Sequence, residues 1–377
     1  MTGLVRPIDR GWVVRDRVPG PDVDEFAEPE RIVAALARAR PGTLLAVQHP
    51  HRTPAALAAG SSLLDALPHA VAELAHLRRN AYREVRDVVA PYRVDGPDGT
   101  AHGLLCMVDP AAVGHTEEVY PDVVAERARV LAGLGCVTSA AMLVPVAREV
   151  RLTRLVAEVD DEPAVSVVDP GGRRHWLWLV GPGERQDALL DAAGEHPLMV
   201  ADGNHRVAAS AGLSGLLALV TAGPDLRIGP IHRAVAGSGL SLADMVVAWR
   251  GLGLVVTPVD AATRPSPGVV VVVAGSSAVR VELPSAGVDH AFVEAVLLDK
   301  ALGLDPESPH VRPVTGDVPA EGVDAVLLIA PVPLADVLAV HEAGGRMPRK
   351  STYFTPKPRS GLLLADLDRG CRLALSV

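Results

Sequence analysis

Lysine is nearly missing from this 377-residue chain: it stands at Lys300, Lys350 and Lys357 only, so almost all of the 36 basic residues are arginine. Aromatic residues are also scarce, at 3 %. The three cysteines, Cys106, Cys136 and Cys371, are an odd number at wide spacing and include no C-x-x-C pair. That excludes a disulfide framework and a thiolate zinc knuckle, and fits a reducing cytoplasm. Long apolar runs are absent as well. The most apolar one, Val269–Ala274, is far too short to cross a bilayer, and the opening residues MTGLVRPIDRGWVV hold no signal-peptide core, so no membrane partner is expected. Positive charge is in deficit, 36 basic against 45 acidic residues, for a formal charge of −9 and a pI near 5.8. A nucleic-acid partner is not expected either, because phosphate neutralisation leaves a basic footprint. There is no G-x-G-x-x-G, no G-x-x-x-x-G-K-[ST] and no G-x-S-x-G, which leaves dinucleotide binding, a Walker phosphate loop and a serine-hydrolase elbow without support.

With 49 % hydrophobic and 21 % charged residues the chain is globular and long enough for two cores or one large one. The scarce residue types cluster. Between Arg346 and Arg359 lie five basic residues and no acidic one, including two of the three lysines, together with Tyr353 and Phe354. A solvated basic loop and an anion site are both open on charge alone.

The hydrophobic spacing predicts a helix over Glu28–Arg40, ended by Pro41-Gly42, then a buried strand over Thr43–Val47. Helical spacing returns over Pro54–Asn80, interrupted at Gly60 and Pro68. Val88–Val94 and Leu104–Val108 read as a hairpin, followed by a helix from about Asp122 to Leu134. A second hairpin, Ala164–Asp169 with His175–Val180, turns at Pro170-Gly171-Gly172 and sends Trp176 and Trp178 to one face. Helices are expected at Gln186–Ala193 and Leu242–Trp249. Strands are expected at Leu216–Val220, Ile231–Val235, Val269–Val273, Val279–Leu283 and Ala325–Ile329. The pattern is α+β with a mixed sheet and lacks the regular alternation of a doubly wound fold. An N-terminal α/β region over 1–150 and a phosphate-binding α+β region over 151–377 are expected to pack as one unit.

Leu198–Ala201 is a short apolar run that stops at Asp202-Gly203-Asn204-His205-Arg206, before helix-forming residues from Val207. Strand, polar turn and helix in that order can cradle a phosphate: backbone N–H groups point outward, Gly203 permits close approach, and His205 and Arg206 add donors. The bland alternative is that Asp202 caps the helix. A second His-Arg pair, His232-Arg233, and the trio Lys350, Ser351 and Thr352 are further phosphate contacts in kind. Glu117 and Glu118, just after His115, are candidates for the carboxylate that orients a hydroxyl in phosphoryl transfer. A zinc hydrolase using His49, His51 and His115 is the metal alternative; Pro50 separates the first pair, and no H-E-x-x-H occurs.

The motifs A-D-G-N-H-R at Ala201–Arg206, P-I-H-R at Pro230–Arg233 and M-P-R-K-S-T-Y-F-T-P-K at Met347–Lys357 resemble the signatures of domain-of-unknown-function family 1015. T-L-L-A-V-Q-H-P at Thr43–Pro50, H-T-E-E at His115–Glu118 and H-W-L-W at His175–Trp178 extend the likeness along the chain. The resemblance implies a core like that of ParB and the free serine kinases, and a small-molecule phosphotransferase acting on the hydroxyl of free L-serine or a similar hydroxy amino acid. The donor would be ATP, ADP or pyrophosphate, with Mg2+. It implies that Asp202, Gly203, Asn204, His205 and Arg206 form the phosphate box and that His232 and Arg233 contact phosphate or a substrate carboxylate. Lys350, Ser351 and Thr352 would clamp the transferred group. Glu117, Glu118, His205 and Lys350 would be catalytic. Three departures are visible: Asn204 where the pattern has histidine, an N-terminal P-Y-D-V-I-S reduced to Pro21-Asp22-Val23-Asp24, and a one-residue slip at the carboxylate. A non-catalytic nucleotide- or phosphometabolite-binding regulator of the same fold is the alternative.

Overall fold

The computed structural model describes residues 4–23, 29–147, 151–213, 215–284, 287–316 and 322–367. Cys371, Asp24 and the first residue of the expected helix, Glu28, lie outside them. The chain divides into two compact units, one of Met1–His115, Val119–Leu226 and Pro356–Val377, the other of Thr116–Glu118 and Arg227–Thr355. The boundary expected near residue 150 falls inside the first unit, where Ala141–Pro145 and Leu198–Asp202 pair within one sheet.

The first unit is built on a nine-stranded mixed sheet, so the expected α+β class holds. Along its main path the strands are Val113–Gly114, Leu198–Asp202, Ala141–Pro145, Leu216–Pro224, Gly99–Val108, Ala90–Gly96, Arg174–Leu177 and Val165–Val168, and Val5–Arg6 pairs with Gly99–Val108 off that path. Two neighbouring pairs, 198–199 with 113–114 and 218–220 with 141–143, are parallel. Alternation along Gly99–Val108 assigns the two faces. Leu105 and Met107 join Leu217, Leu219, Tyr92 and Val94 on one face, over a four-stranded sheet that supplies Val13, Val85 and Leu364. Leu104 and Cys106 join Ala218 and Val220 on the other, against Leu152 and Val156 of the helix Arg151–Ala157 and Leu189 of Glu184–Ala193. Burial pushes the Cys106 and Cys136 thiols up to about 12, which makes them inert core residues. Each large apolar side chain buried this way contributes about 1.5–3 kcal/mol.

Both expected hairpins form, with Trp176 and Trp178 lining the same hollow. Thr43–Val47 is not a strand. Leu44–Gln48 is a short helix whose N-cap, Thr43, accepts a hydrogen bond from the Ala46 N–H at 3.2 Å, while Leu44, Leu45 and Val47 are buried. A five-residue apolar run has no period to tell helix from strand, and here the cap decides. Gly60 ends a helix as expected, but Pro68 lies inside Leu63–Asn80, whose Ser62–Asp65 capping box starts it firmly enough to carry the proline.

The second unit holds a six-stranded antiparallel sheet in the order Val256–Val259, Ser277–Glu282, Val269–Ala274, Ala325–Leu328, His232–Val235, Val311–Val314. Val270, Val272, Val281 and Leu327 pack on Met245 and Trp249 of the helix Leu242–Gly251 and on Val293 and Leu297. The Trp249 indole N–H donates to the Leu297 carbonyl at 3.0 Å, so the largest buried side chain leaves no polar atom unmatched.

If the Thr43 cap holds the 44–48 helix, Thr43→Ala destabilises the protein by about 1 kcal/mol in urea unfolding; an unchanged midpoint would mean that packing alone sets the helix.

Candidate functional site

The strand Leu198–Asp202 ends at Gly203, whose φ of +97° is left-handed, and a helix follows over Asn204–Ala209. The strand, turn and helix expected for the box are therefore present. The helix is only six residues long, so its dipole adds little, and the side chains define the turn. The left-handed φ favours glycine there, and a Cβ would lie 3.2 Å from an Arg206 guanidinium nitrogen, which would have to give way by a few tenths of an ångström. Arg206, 6 % exposed, donates to the Ala140 carbonyl. His205 Nε2 accepts from the Tyr120 N–H at 3.1 Å, and the two rings stack at 5.7 Å. Asn204 is buried. Three of the five box residues thus build the walls of the turn, while Asp202 meets the Lys357 ammonium at 2.8 Å.

Two residues beyond Lys357, the Arg359 guanidinium pairs with Asp22 in the same unit. Desolvation pushes the Asp22 carboxyl up; Arg359 opposes that rise and Asp169 adds to it. A second aspartate–cation pair therefore stands on the stretch that carries the first. Lys357 and Arg359 belong to the basic segment, and Asp22 to the reduced N-terminal motif; spacing by itself could not show that either would meet its partner. Two buried tyrosine hydroxyls dock this stretch. The Arg359 N–H donates to Tyr92 Oη at 3.1 Å, and the Tyr82 hydroxyl donates to the Gly361 carbonyl at 2.8 Å.

In the second unit the Lys350–Thr352 trio is gathered around a carboxylate of the chain itself. Lys350 has φ +52°, and this left-handed turn aims successive N–H groups inward as an anion nest. Glu117 fills it. Its Oε2 accepts from the Lys350 N–H at 3.2 Å. Its Oε1 accepts from the Ser351 and Thr352 N–H groups, both at 3.3 Å, and from the Thr352 hydroxyl at 2.8 Å. Desolvation raises the Glu117 carboxyl pKa, and the Thr352 and Lys350 contacts hold it back. The Met347 N–H to Thr116 carbonyl bond, at 2.6 Å, closes the same junction. Glu118 is 62 % exposed at its side chain and meets Arg349 at 3.4 Å.

Arg233 ties into this loop from the sheet. It forms an ion pair with Glu294 at 2.6 Å and donates to the Arg349 and Lys350 carbonyls at 3.1 and 3.2 Å. His232 Nδ1 accepts from the Ile329 N–H at 3.1 Å, and burial holds its pKa down. The structure thus brings Glu117, Arg233, Lys350, Ser351 and Thr352 together; the phosphate box stands in the first unit. His290, unmarked in the sequence, is fully buried beside them. Its Nε2 contacts the Ile231 carbonyl at 2.9 Å, and burial, with Arg233 adding, pushes its pKa down to about 3. Among the described residues no group of three or more His, Cys, Asp or Glu is placed to hold a metal ion, and His51 Nε2 accepts a hydrogen bond from Arg52, which leaves the zinc-hydrolase alternative without a ligand cluster there.

Residues 83–250 match the family described as "Protein of unknown function (DUF1015)", the family that the motifs resemble. No curated protein matches the sequence. Among solved structures, a free serine kinase in complex with AMP is similar at 14 % identity and a TM-score of 0.40, over 68 % of this chain and 92 % of that one. SbnI with a C-terminal truncation, from Staphylococcus aureus, is similar at 12 % identity and a TM-score of 0.43, over 72 % and 90 %. A conserved hypothetical protein from Pyrococcus furiosus is similar at 11 % identity and a TM-score of 0.40, over 68 % and 93 %.

Glu117→Ala strips four donors of their acceptor and is expected to cost about 3 kcal/mol in unfolding free energy, with Glu117→Gln recovering part of the loss; a cost below about 1 kcal/mol would show that the loop re-solvates freely. His290 makes the second unit acid-sensitive. The unfolded chain takes up its proton near the ordinary 6.5 and the folded one near 3. Stability is therefore complete above about 6.5 and falls by about 1.4 kcal/mol per pH unit below it, until the folded group titrates. Urea titrations from pH 7 to pH 4 on the wild type and His290→Asn read this directly, and equal slopes would refute it.

Proposed function

We propose that this protein is a small-molecule phosphotransferase that carries phosphate to the hydroxyl of free L-serine or a similar hydroxy amino acid, with ATP, ADP or pyrophosphate as donor. The observation that carries the reading is a pair of aspartate–cation contacts on one stretch of the first unit, Asp202 with Lys357 beside the glycine turn and Asp22 with Arg359 two residues further along the chain. Phosphoryl transfer is mostly charge management, and this stretch offers two cations for phosphate oxygens and two carboxylates for a hard cation. The donor set suits Mg2+, which takes one or two carboxylates and completes its octahedron with water and substrate phosphate. Asp202, beside the glycine turn, is the residue that would hold it, and it would supply neutralisation of the donor phosphates. Lys357 and Arg359 then exchange their carboxylate partners for phosphate oxygens. Arg206 and His205 act by keeping the turn in shape.

One observation favours a second reading, a regulator that binds a nucleotide or phosphometabolite without chemistry. The carboxylate that the motif supplies at Glu117 spends both oxygens on the 350–352 nest, and Asn204 replaces an ionisable donor.

Phosphorus NMR with Mg2+, serine and, in separate tubes, ATP, ADP or pyrophosphate separates the two. The kinase reading expects a new phosphomonoester resonance, reduced about 100-fold in initial rate by Lys357→Ala with the variant still folded. No product, together with a thermal shift on adding the same ligands, selects the regulator. Neither product nor shift removes both.

A further inference from the structure

The residues around Arg359 form a directed chain of hydrogen bonds that the phosphotransferase chemistry does not use. Its far end is Asp169, whose Oδ1 accepts from the Arg173 N–H at 2.9 Å and whose Oδ2 lies 3.1 Å from His175 Nε2. His175 Nδ1 lies 2.7 Å from Tyr92 Oη, and Tyr92 Oη accepts from the Arg359 N–H at 3.1 Å. His175 and Tyr92 are each 1 % exposed. The hydrogen-bond partners and the low dielectric leave one consistent proton arrangement. Asp169, held below the usual carboxylate range despite its partial burial, is ionised and accepts Nε2–H. Burial keeps His175 neutral, so its Nδ1 carries a lone pair. The Tyr92 hydroxyl must then donate to that nitrogen, which leaves its oxygen to accept the Arg359 N–H. Each donor of the relay then points the same way, from the Arg359 N–H through Tyr92 and His175 to Asp169.

Such a network could be mere core filling, but what it ends on argues otherwise. It grips a main-chain N–H of the basic segment, at the residue whose guanidinium pairs with Asp22. Tyr82 grips the Gly361 carbonyl two residues on. Gly361 has φ +82°, and a Cβ there would come within 2.2 Å of Leu44, so the turn that follows Arg359 requires glycine for both conformation and space. Two of the chain's four tyrosines are thus spent on fixing three residues that would otherwise form a solvated basic loop. A guanidinium that must recognise a phosphate has to be held to within about half an ångström, and long side chains on mobile loops lose that precision.

We propose that Tyr92 and His175 are positioning residues: the Asp169–His175–Tyr92 relay sets the Arg359 backbone so that its guanidinium, beside Asp22, contacts the phosphate of a phosphate-bearing ligand. This rests on the phosphate reading of the first unit. Tyr92 and His175 touch no ligand and act through Arg359 alone. Their effect on binding therefore requires the Arg359 side chain, whereas a purely structural effect does not.

A double-mutant cycle on the full chain tests this, with calorimetric binding of ADP and of pyrophosphate to the wild type, Tyr92→Phe, Arg359→Ala and the double variant. Amide hydrogen exchange at Arg359 reports the relay itself. Tyr92→Phe is expected to speed exchange at the Arg359 N–H and to weaken binding about fivefold, the equivalent of one ordinary hydrogen bond, when Arg359 is present. In the Arg359→Ala background it should weaken binding less than twofold. His175→Gln gives a second route to the same result should Tyr92→Phe fold poorly. Equal losses in both backgrounds, or unchanged binding with faster exchange, would overturn the positioning role while leaving the phosphate reading intact. A folded wild type that binds neither ligand overturns the phosphate reading, and with it the role assigned to the relay.

Discussion

The structure turns on how an acidic chain neutralises its one concentrated stretch of positive charge. Between Arg346 and Arg359 four of the five cations or their backbones are met by carboxylates of the chain: Arg349 by Glu118 and Glu307, the Lys350 N–H by Glu117, Lys357 by Asp202 and Arg359 by Asp22. A basic segment left in solvent would wander, because exposed ion pairs are each worth under about 1 kcal/mol. Here the pairs are reinforced by buried hydroxyls, a left-handed turn and main-chain bonds, and together these hold the segment to one path.

The same economy accounts for the two kinds of site. In the second unit a carboxylate sits in an anion nest and is enclosed there, so the nest works as a structural joint. In the first unit the carboxylates sit against side-chain cations, and Asp202 and Lys357 keep about a fifth of their side-chain surface open. A single side-chain ion pair is more easily exchanged for a ligand than a carboxylate held by three successive N–H groups. The phosphate site proposed above lies in the first unit, where Arg206 is tied to the Ala140 carbonyl and keeps the turn in shape.

Much of the fold is legible in the order of residues. Leu198 to Arg206 reads as strand, turn and helix because an apolar run, a glycine and a helix-forming stretch follow one another directly, and each local preference agrees with the next. The hairpins around Asp95–Gly99 and Pro170–Gly172 are legible for the same reason. Thr43–Val47 misleads because a short apolar run has no period, and its state is decided by one cap and by burial against distant residues. The two-unit division is hidden in sequence because Thr116–Glu118 and Pro356–Val377 each join the unit that their flanking chain does not suggest.

By itself the sequence determined most element types and the mixed α+β class, since these follow from local patterning read in order. Which cation meets which carboxylate was decided only by the tertiary structure. Lys350, Ser351 and Thr352 were the expected phosphate clamp and Glu117 or Glu118 the expected carboxylate, yet the N–H groups of that trio are bound to Glu117, while Lys357 meets Asp202 and Arg359 meets Asp22. The reason is physical: a charge finds its partner through space, across separations such as that between Asp22 and Arg359, and spacing along a chain carries no information about contacts made at that range.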